Sequence, residues 1–143
     1  MNEILDKQKV IDEEHLRLLS IFHYISGIIT LFISFIFLIQ FFVFSFIFDE
    51  VMNSLLDIAL VGNYDFDPEI FSFIIYLLIV LFFLFITFGL AQILSGNFLR
   101  KKKHRIFSFI VAIISILSFP YGTILGAMTI IVISRSSVME LYR

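Results

Sequence analysis

Residues 106–134 read IFSFIVAIISILSFPYGTILGAMTIIVIS, 29 positions without one Asp, Glu, Lys or Arg. As a single helix the run would be about 43 Å long at 1.5 Å per residue, overlong for a hydrocarbon core of about 30 Å. Near its middle stands Phe119-Pro120-Tyr121-Gly122. Proline lacks the backbone donor a helix needs and disfavours helix in the residue before it. A glycine close behind a proline is a turn signal. The run therefore predicts two short helices, at about 104–119 and 121–138, joined by a tight turn; one kinked helix is the alternative.

Two further uncharged runs precede it, 31 residues from Leu18 to Phe48 and 26 from Ile70 to Ser95. Each exceeds the roughly 20 helical residues that span a bilayer. The sum is a chain of 143 residues, 60% hydrophobic, with mean hydropathy +1.05. Soluble domains run near 45–50% apolar, and a soluble chain of this length has too little interior to hide the excess. The expected fold is an all-α membrane protein of four transmembrane helices in two hairpins, at about 18–48, 70–95, 104–119 and 121–138. Residues 1–17 form an N-terminal cytoplasmic or interfacial segment, and residues 18–143 form one transmembrane domain. That N-terminal segment carries five acids against three bases, unlike the basic start of a secretory signal.

Charge sets the expected orientation. The loop at 49–69 holds six acids and no base, whereas the loop at 96–105 holds Arg100, Lys101, Lys102, Lys103 and Arg105. Basic loops stay cytoplasmic. Four crossings then place both termini in the cytoplasm, with Arg135 and Arg143 at one end and Lys7, Lys9 and Arg17 at the other. Three crossings would put Arg135 outside. Gly96-Asn97 is read as the stop of the second helix. Asp12 is read as an N-cap, with Glu13 and Glu14 favouring the helix dipole. The segments 2–17 and 51–59 each suggest an amphipathic surface helix.

Lipid gives helices no hydrophobic reason to associate, so small and polar residues mark contact faces. Ser20, His23, Gly27, Thr30 and Ser34 recur at three- and four-residue steps as one stripe, with Gln92 on the second helix as a polar neighbour. The stripe is either a packing face or the lining of a pore or small-molecule path. Ser108, Ala112 and Ser115 align on the third helix; Gly122 and Gly126 form a GxxxG on the fourth. An ionisable group in a membrane is a candidate for function, which singles out His23. A neutral imidazole is equally well satisfied by one helix-to-helix hydrogen bond, to a serine or to Gln92.

No metal or haem ligand set accompanies His23, since His15 and His104 lie outside the spans, and no cofactor is expected. With no cysteine, thiolate sites and disulfides are excluded. Asn63-Tyr64-Asp65-Phe66-Asp67-Pro68-Glu69 alternates carboxylates as calcium loops do, but lacks their glycine and closing glutamate. The basic cluster is read as a topology signal and a contact for anionic headgroups, worth about 1 kcal/mol per base. Nucleic acid is not an expected partner. Nor is any nucleophile–base pair or phosphate loop visible.

The stretches Glu14-His15-Leu16-Arg17-Leu18-Leu19-Ser20-Ile21-Phe22-His23-Tyr24 and Phe119-Pro120-Tyr121-Gly122-Thr123-Ile124-Leu125-Gly126 resemble the opening and ending of a family of small bacterial multi-helix membrane proteins with no assigned activity. The resemblance implies the bacterial cytoplasmic (inner) membrane and brings no functional residues. The expected function is non-enzymatic: a self-associating membrane scaffold or an accessory subunit of another membrane protein. The rivals are a small oligomeric channel or transporter using the stripe and, more weakly, a membrane enzyme or haem subunit using His23.

Overall fold

The computed structural model describes residues 2–62, 69–118 and 120–142. Among them the chain is all helical, with no strand: α1 (Asn2–Gly62), α2 (Glu69–Lys101), α3 (Arg105–Ile116), α4 (Tyr121–Ile133) and α5 (Ser136–Leu141). Two helical stretches are long and apolar enough to cross a membrane, Lys7–Phe48 in α1 and Ser72–Lys101 in α2.

Several expected boundaries are corrected. The segment 1–17, the helix 18–48 and the surface helix near 51–59 are, where described, a single helix. Charges such as Asp49 and Glu50 leave a lipid phase but do not break a helix, and α1 has no proline; it ends at a glycine. Asp12 is therefore an interior residue of α1 and not an N-cap. Of the loop expected at 49–69, residues 49–62 and Glu69 are helical. The calcium-like run 63–68 lies outside the described residues.

Gly96-Asn97 does not stop α2 either. The helix continues to Lys101 and ends where Lys102 turns left-handed, φ 53°. The Lys103 N–H bonds the Phe98 carbonyl (3.0 Å) and the Lys102 N–H bonds the Leu99 carbonyl (3.3 Å), the bond pair of a Schellman stop. A lysine thus takes the place usually left to glycine. Gly96 serves another need: a Cβ there would stand 2.9 Å from the Ser20 carbonyl oxygen of α1.

The turn near Pro120 does separate two helices, α3 of 12 residues and α4 of 13. The fourth helix, expected to reach 138, ends at Ile133; Arg135 is extended (ψ 138°) and starts the short α5.

The chain groups into two compact units: residues 1–29 with 88–143, and residues 30–87; a single domain over 18–143 was expected. In the first unit, partner positions on neighbouring helices run in opposite directions. Ser20 meets Gly96 while Gly27 meets Ile93. Ser108 meets Ser95 while Ser115 meets Gln92. Gly122 and Gly126 meet Ser115 and Ala112. Asp12 meets Arg135 while His23 meets Thr129. These pairs describe a four-helix antiparallel bundle in the cyclic order α1–α2–α3–α4. Its apolar core is Leu16, Leu19, Leu99, Leu125, Val132, Ile133 and Val138, with Leu141 and Tyr142 packed against it from α5. The second unit contains the α1 and α2 stretches between Thr30 and Thr87. There Phe37 and Phe85 pair with ring centroids 5.2 Å apart, while Phe32, Phe35, Phe46 and Phe73 are exposed.

Candidate functional site

The first unit holds a seam of polar side chains at the centre of its bundle. Ser20, His23, Gln92, Ser95, Ser108, Ser115 and Thr129 are all no more than 1% exposed. Helical spacing puts Ser20, His23 and Gly27 on one face of α1, and this face meets α2 and α4. The Ser20 hydroxyl donates to the Gly96 carbonyl at 2.7 Å. Gly27 lets α1 approach α2: a Cβ there would stand 2.9 Å from the Gly89 carbonyl oxygen.

His23 pairs with Thr129, not with Gln92. Thr129 donates its one hydroxyl proton to the Leu125 carbonyl (2.7 Å). Its oxygen therefore accepts from the His23 Nε2–H, 3.2 Å away. This sets the tautomer: Nε2 carries the proton and Nδ1 the lone pair. Nδ1 is buried without a partner, as is the Ser95 hydroxyl. The Gln92 amide approaches the Ser115 hydroxyl at 3.5 Å, while Ser115 itself donates to the Val111 carbonyl at 2.9 Å. Ser108 reaches the Ser95 carbonyl at 3.5 Å, the long end of a hydrogen bond.

Thr30 and Ser34, the continuation of the stripe, belong to the second unit. Both are buried, and the Ser34 hydroxyl is spent on the Leu31 carbonyl of its own helix, 2.7 Å away.

Ala112 and Ser115 on α3 face Gly122 and Gly126 on α4. The GxxxG is the inner face of the α3–α4 hairpin. Ser108 turns from the same helix toward α2.

The basic cluster is divided by structure. Arg100, Lys101 and Lys103 are exposed. Lys102 pairs with Glu13 of α1, and Arg105 donates to the Ile133 carbonyl at the end of α4 (3.1 Å). At the same end of the bundle Asp12 is fully buried. Its Oδ1 accepts from Arg135 (3.3 Å) and from Gln8 (3.2 Å), and its Oδ2 has no partner. Tyr142 is close by in the fold, packed on the core with its hydroxyl unpartnered. Burial pushes that phenol up to about 12, and the positive charge of Arg105 partly opposes the rise.

Sequence reasoning did not pair Asp12 with Arg135 or His23 with Thr129. Asp12 and Arg135 each flank an apolar run on the side expected to be cytoplasmic, which is the one signal that could have matched them. Among the described residues no group of three or more His, Asp or Glu is placed to hold a metal ion. No known protein family, curated protein or solved structure matches the chain.

Proposed function

We propose that the protein is a multi-pass integral membrane protein that acts as a packing element: a self-associating scaffold, or an accessory subunit of a larger membrane assembly, without catalysis of its own. The observation that carries this reading is the direction of its polar groups. In the first unit they point inward and are largely spent between helices, while the outward faces of all four helices are apolar. Such a surface suits lipid or other apolar helices. The exposed phenylalanines of the second unit, on only two helices, extend the area open to association. A pore along the stripe is less well supported, because Ser20, His23 and Gly27 face α2 and α4 of their own copy.

α1 and α2 are the crossings. α3 and α4, at about 18 and 20 Å, are each shorter than the roughly 30 Å hydrocarbon core. A hairpin that enters from the cytoplasmic side and returns to it keeps both termini there and needs no local thinning, which four full crossings would. Its turn is suited to that depth, where backbone groups must find partners within the protein. The Ser118 N–H bonds the Ser115 carbonyl, the Gly122 N–H bonds the Ser118 carbonyl, and the Thr123 hydroxyl bonds the Ile116 carbonyl. The basic cluster would meet anionic headgroups at the cytoplasmic face. The resemblance of the chain's two ends favours the bacterial cytoplasmic membrane.

The cysteine-free chain allows a clean test with single cysteines and an impermeant maleimide in sided vesicles. Ser136→Cys should label only from the cytoplasmic side, Ser54→Cys only from the opposite side, and Ser118→Cys from neither. Labelling of Ser118→Cys from outside would restore four crossings. Native mass spectrometry of the purified chain tests association: an oligomer, or a stable complex with another membrane protein, is expected. A solitary monomer in lipid-like detergent and in crosslinked membranes would refute the scaffold.

A further inference from the structure

In the second unit α1 carries one polar side chain that the fold leaves unspent. Gln40 is exposed and has no hydrogen-bond partner among the described residues. Six residues on from the buried Ser34, it points about 120° away from that inner face. Short hydroxyls in this unit close onto their own helix: Ser34 bonds the Leu31 carbonyl, and Thr87 of α2 the Phe83 carbonyl. A glutamine amide brings two donors and an oxygen with two lone pairs, and the helix around it has already paired its own backbone groups.

On the membrane reading above, Gln40 stands in oil. The uncharged run Leu18–Phe48 has its middle at Ile33, so Gln40 lies about 10 Å from it along the helix. The half-thickness of a hydrocarbon core is about 15 Å. No water is available to an amide at that depth, and an unpaired one is strongly unfavourable.

Its neighbours on the same face have a period. Ile33, Ile36, Gln40, Val43 and Ile47 follow one another at steps of three and four, and all are exposed. This is the a/d pattern of a left-handed coiled coil over two heptads, with Gln40 at an a position. The next position in the pattern, Glu50, lies beyond the uncharged run and closes the seam. A strip with this period fits another helix, and the polar group says which. Copies of one chain insert with the same orientation, so two α1 helices meet in parallel. A two-fold axis along the membrane normal then sets each seam residue opposite its own counterpart. Gln40 meets Gln40, and each amide donates one N–H to the other's carbonyl oxygen. A single polar residue at an a position also fixes the register of such a seam.

We infer that this face of α1 is a homodimer seam, in which Ile33, Ile36, Val43 and Ile47 pack on a second copy and Gln40 hydrogen-bonds its counterpart. The inference rests on the membrane reading and names the surface of the self-association proposed there.

The chain has no cysteine, so single cysteines report the contact by oxidative crosslinking of the full chain in membranes. Ile36→Cys and Ile47→Cys should crosslink two copies; Phe35→Cys and Phe46→Cys, exposed on other faces of α1, should not. Energy transfer between labelled copies diluted in phosphatidylcholine vesicles measures the strength of the dimer. Gln40→Leu makes the helix more apolar yet should weaken the dimer about threefold to thirtyfold, and Gln40→Asn, which keeps an amide, should recover much of the loss. Three results would overturn the seam and leave the scaffold standing: crosslinking confined to Phe35→Cys and Phe46→Cys, an undiminished Gln40→Leu dimer, or seam cysteines that capture a different protein. A chain that is monomeric at every lipid dilution defeats the seam and self-association together. If carbonate extraction strips the chain from vesicles, the membrane reading falls and the seam with it.

Discussion

Gly126→Ala puts the smallest side chain into one of the two tight glycine contacts of the hairpin. Its Cβ would stand 2.8 Å from Ile116 Cγ1 and 3.1 Å from Ile116 N, and closer still to the Ala112 carbonyl oxygen. Comfortable separations are about 3.5–4.0 Å. Ile116 Cγ1 belongs to a side chain that can move, but the Ala112 oxygen is fixed in the α3 backbone. The helices must separate by several tenths of an ångström or more, and a radial gap of 0.5–1 Å forfeits roughly a quarter to a half of each dispersion contact. Overpacking of this kind costs about 1–3 kcal/mol, and a backbone clash belongs at the upper end. Replacing glycine by alanine in a helix returns about 1 kcal/mol. The net expectation is a loss of about 2 kcal/mol. Gly122→Ala meets the Ser118 Cβ at 2.6 Å and the Ser115 carbonyl oxygen and should cost a similar amount. One separation of α3 from α4 relieves both clashes, so the double variant should lose about 2–3 kcal/mol, well short of the sum. Denaturation in mixed micelles, followed by circular dichroism, measures all three. A neutral or stabilised Gly126→Ala would refute the close hairpin, and strict additivity would refute the shared displacement.

Thr129→Val keeps the shape of the residue but leaves the His23 Nε2–H without an acceptor; a loss of about 1–3 kcal/mol is expected, and no change in the same denaturation assay would remove the pair from the core. Arg135→Gln leaves the buried Asp12 carboxylate without its cation. Breaking a fully buried pair costs about 3–5 kcal/mol; with Arg135 39% exposed, about 2 kcal/mol is expected, and Asp12→Asn in the same chain should restore most of it. Failure of that rescue would show that Arg135 acts elsewhere. The phenol of Tyr142 is held in its neutral form, pushed up to about 12. Because the folded state binds this proton more tightly than the unfolded state, its contribution is full below pH 10 and falls as pH rises toward 12. Tyr142→Phe should flatten that decline and cost little at neutral pH, since the hydroxyl has no partner; an identical alkaline profile in the variant would contradict the buried phenol.

The all-helical character was legible from three uncharged runs, and the break near Pro120 from two residues. Both are local signals. Helix ends were not legible, because the absence of charge reports where lipid can be and says little about where a helix stops. Hence α1 runs past Asp49-Glu50, and α2 runs past Gly96-Asn97 to a left-handed lysine. Gly96 also shows why glycine misleads: its lack of a Cβ serves equally for a cap and for a neighbour at close range, and only the neighbour's position tells them apart. The stripe on α1 marked a face, but a face does not name its partner. That Thr129 lies opposite His23, and Arg135 opposite Asp12, follows from the folding of α4 back along α1, a long-range fact with no counterpart in spacing. The packing of α4 on α1 lies beyond sequence for the same reason, since the two come from opposite ends of the chain.

In the first unit α1 is tied to its neighbours by specific cross-helix bonds, Ser20 to Gly96 and His23 to Thr129, and the same helix runs on through the second unit. For a genetic screen this makes α1 two different stretches of text. Up to Ile29, Ser20, His23 and Gly27 each have a specific neighbour, and exchange there should be counter-selected whatever the hydropathy of the replacement. Beyond Thr30, exposed positions such as Phe32, Phe35 and Phe46 need only remain apolar, so leucine, isoleucine and phenylalanine should interchange freely. The same helix would record selection for shape in one half and for solubility in oil in the other.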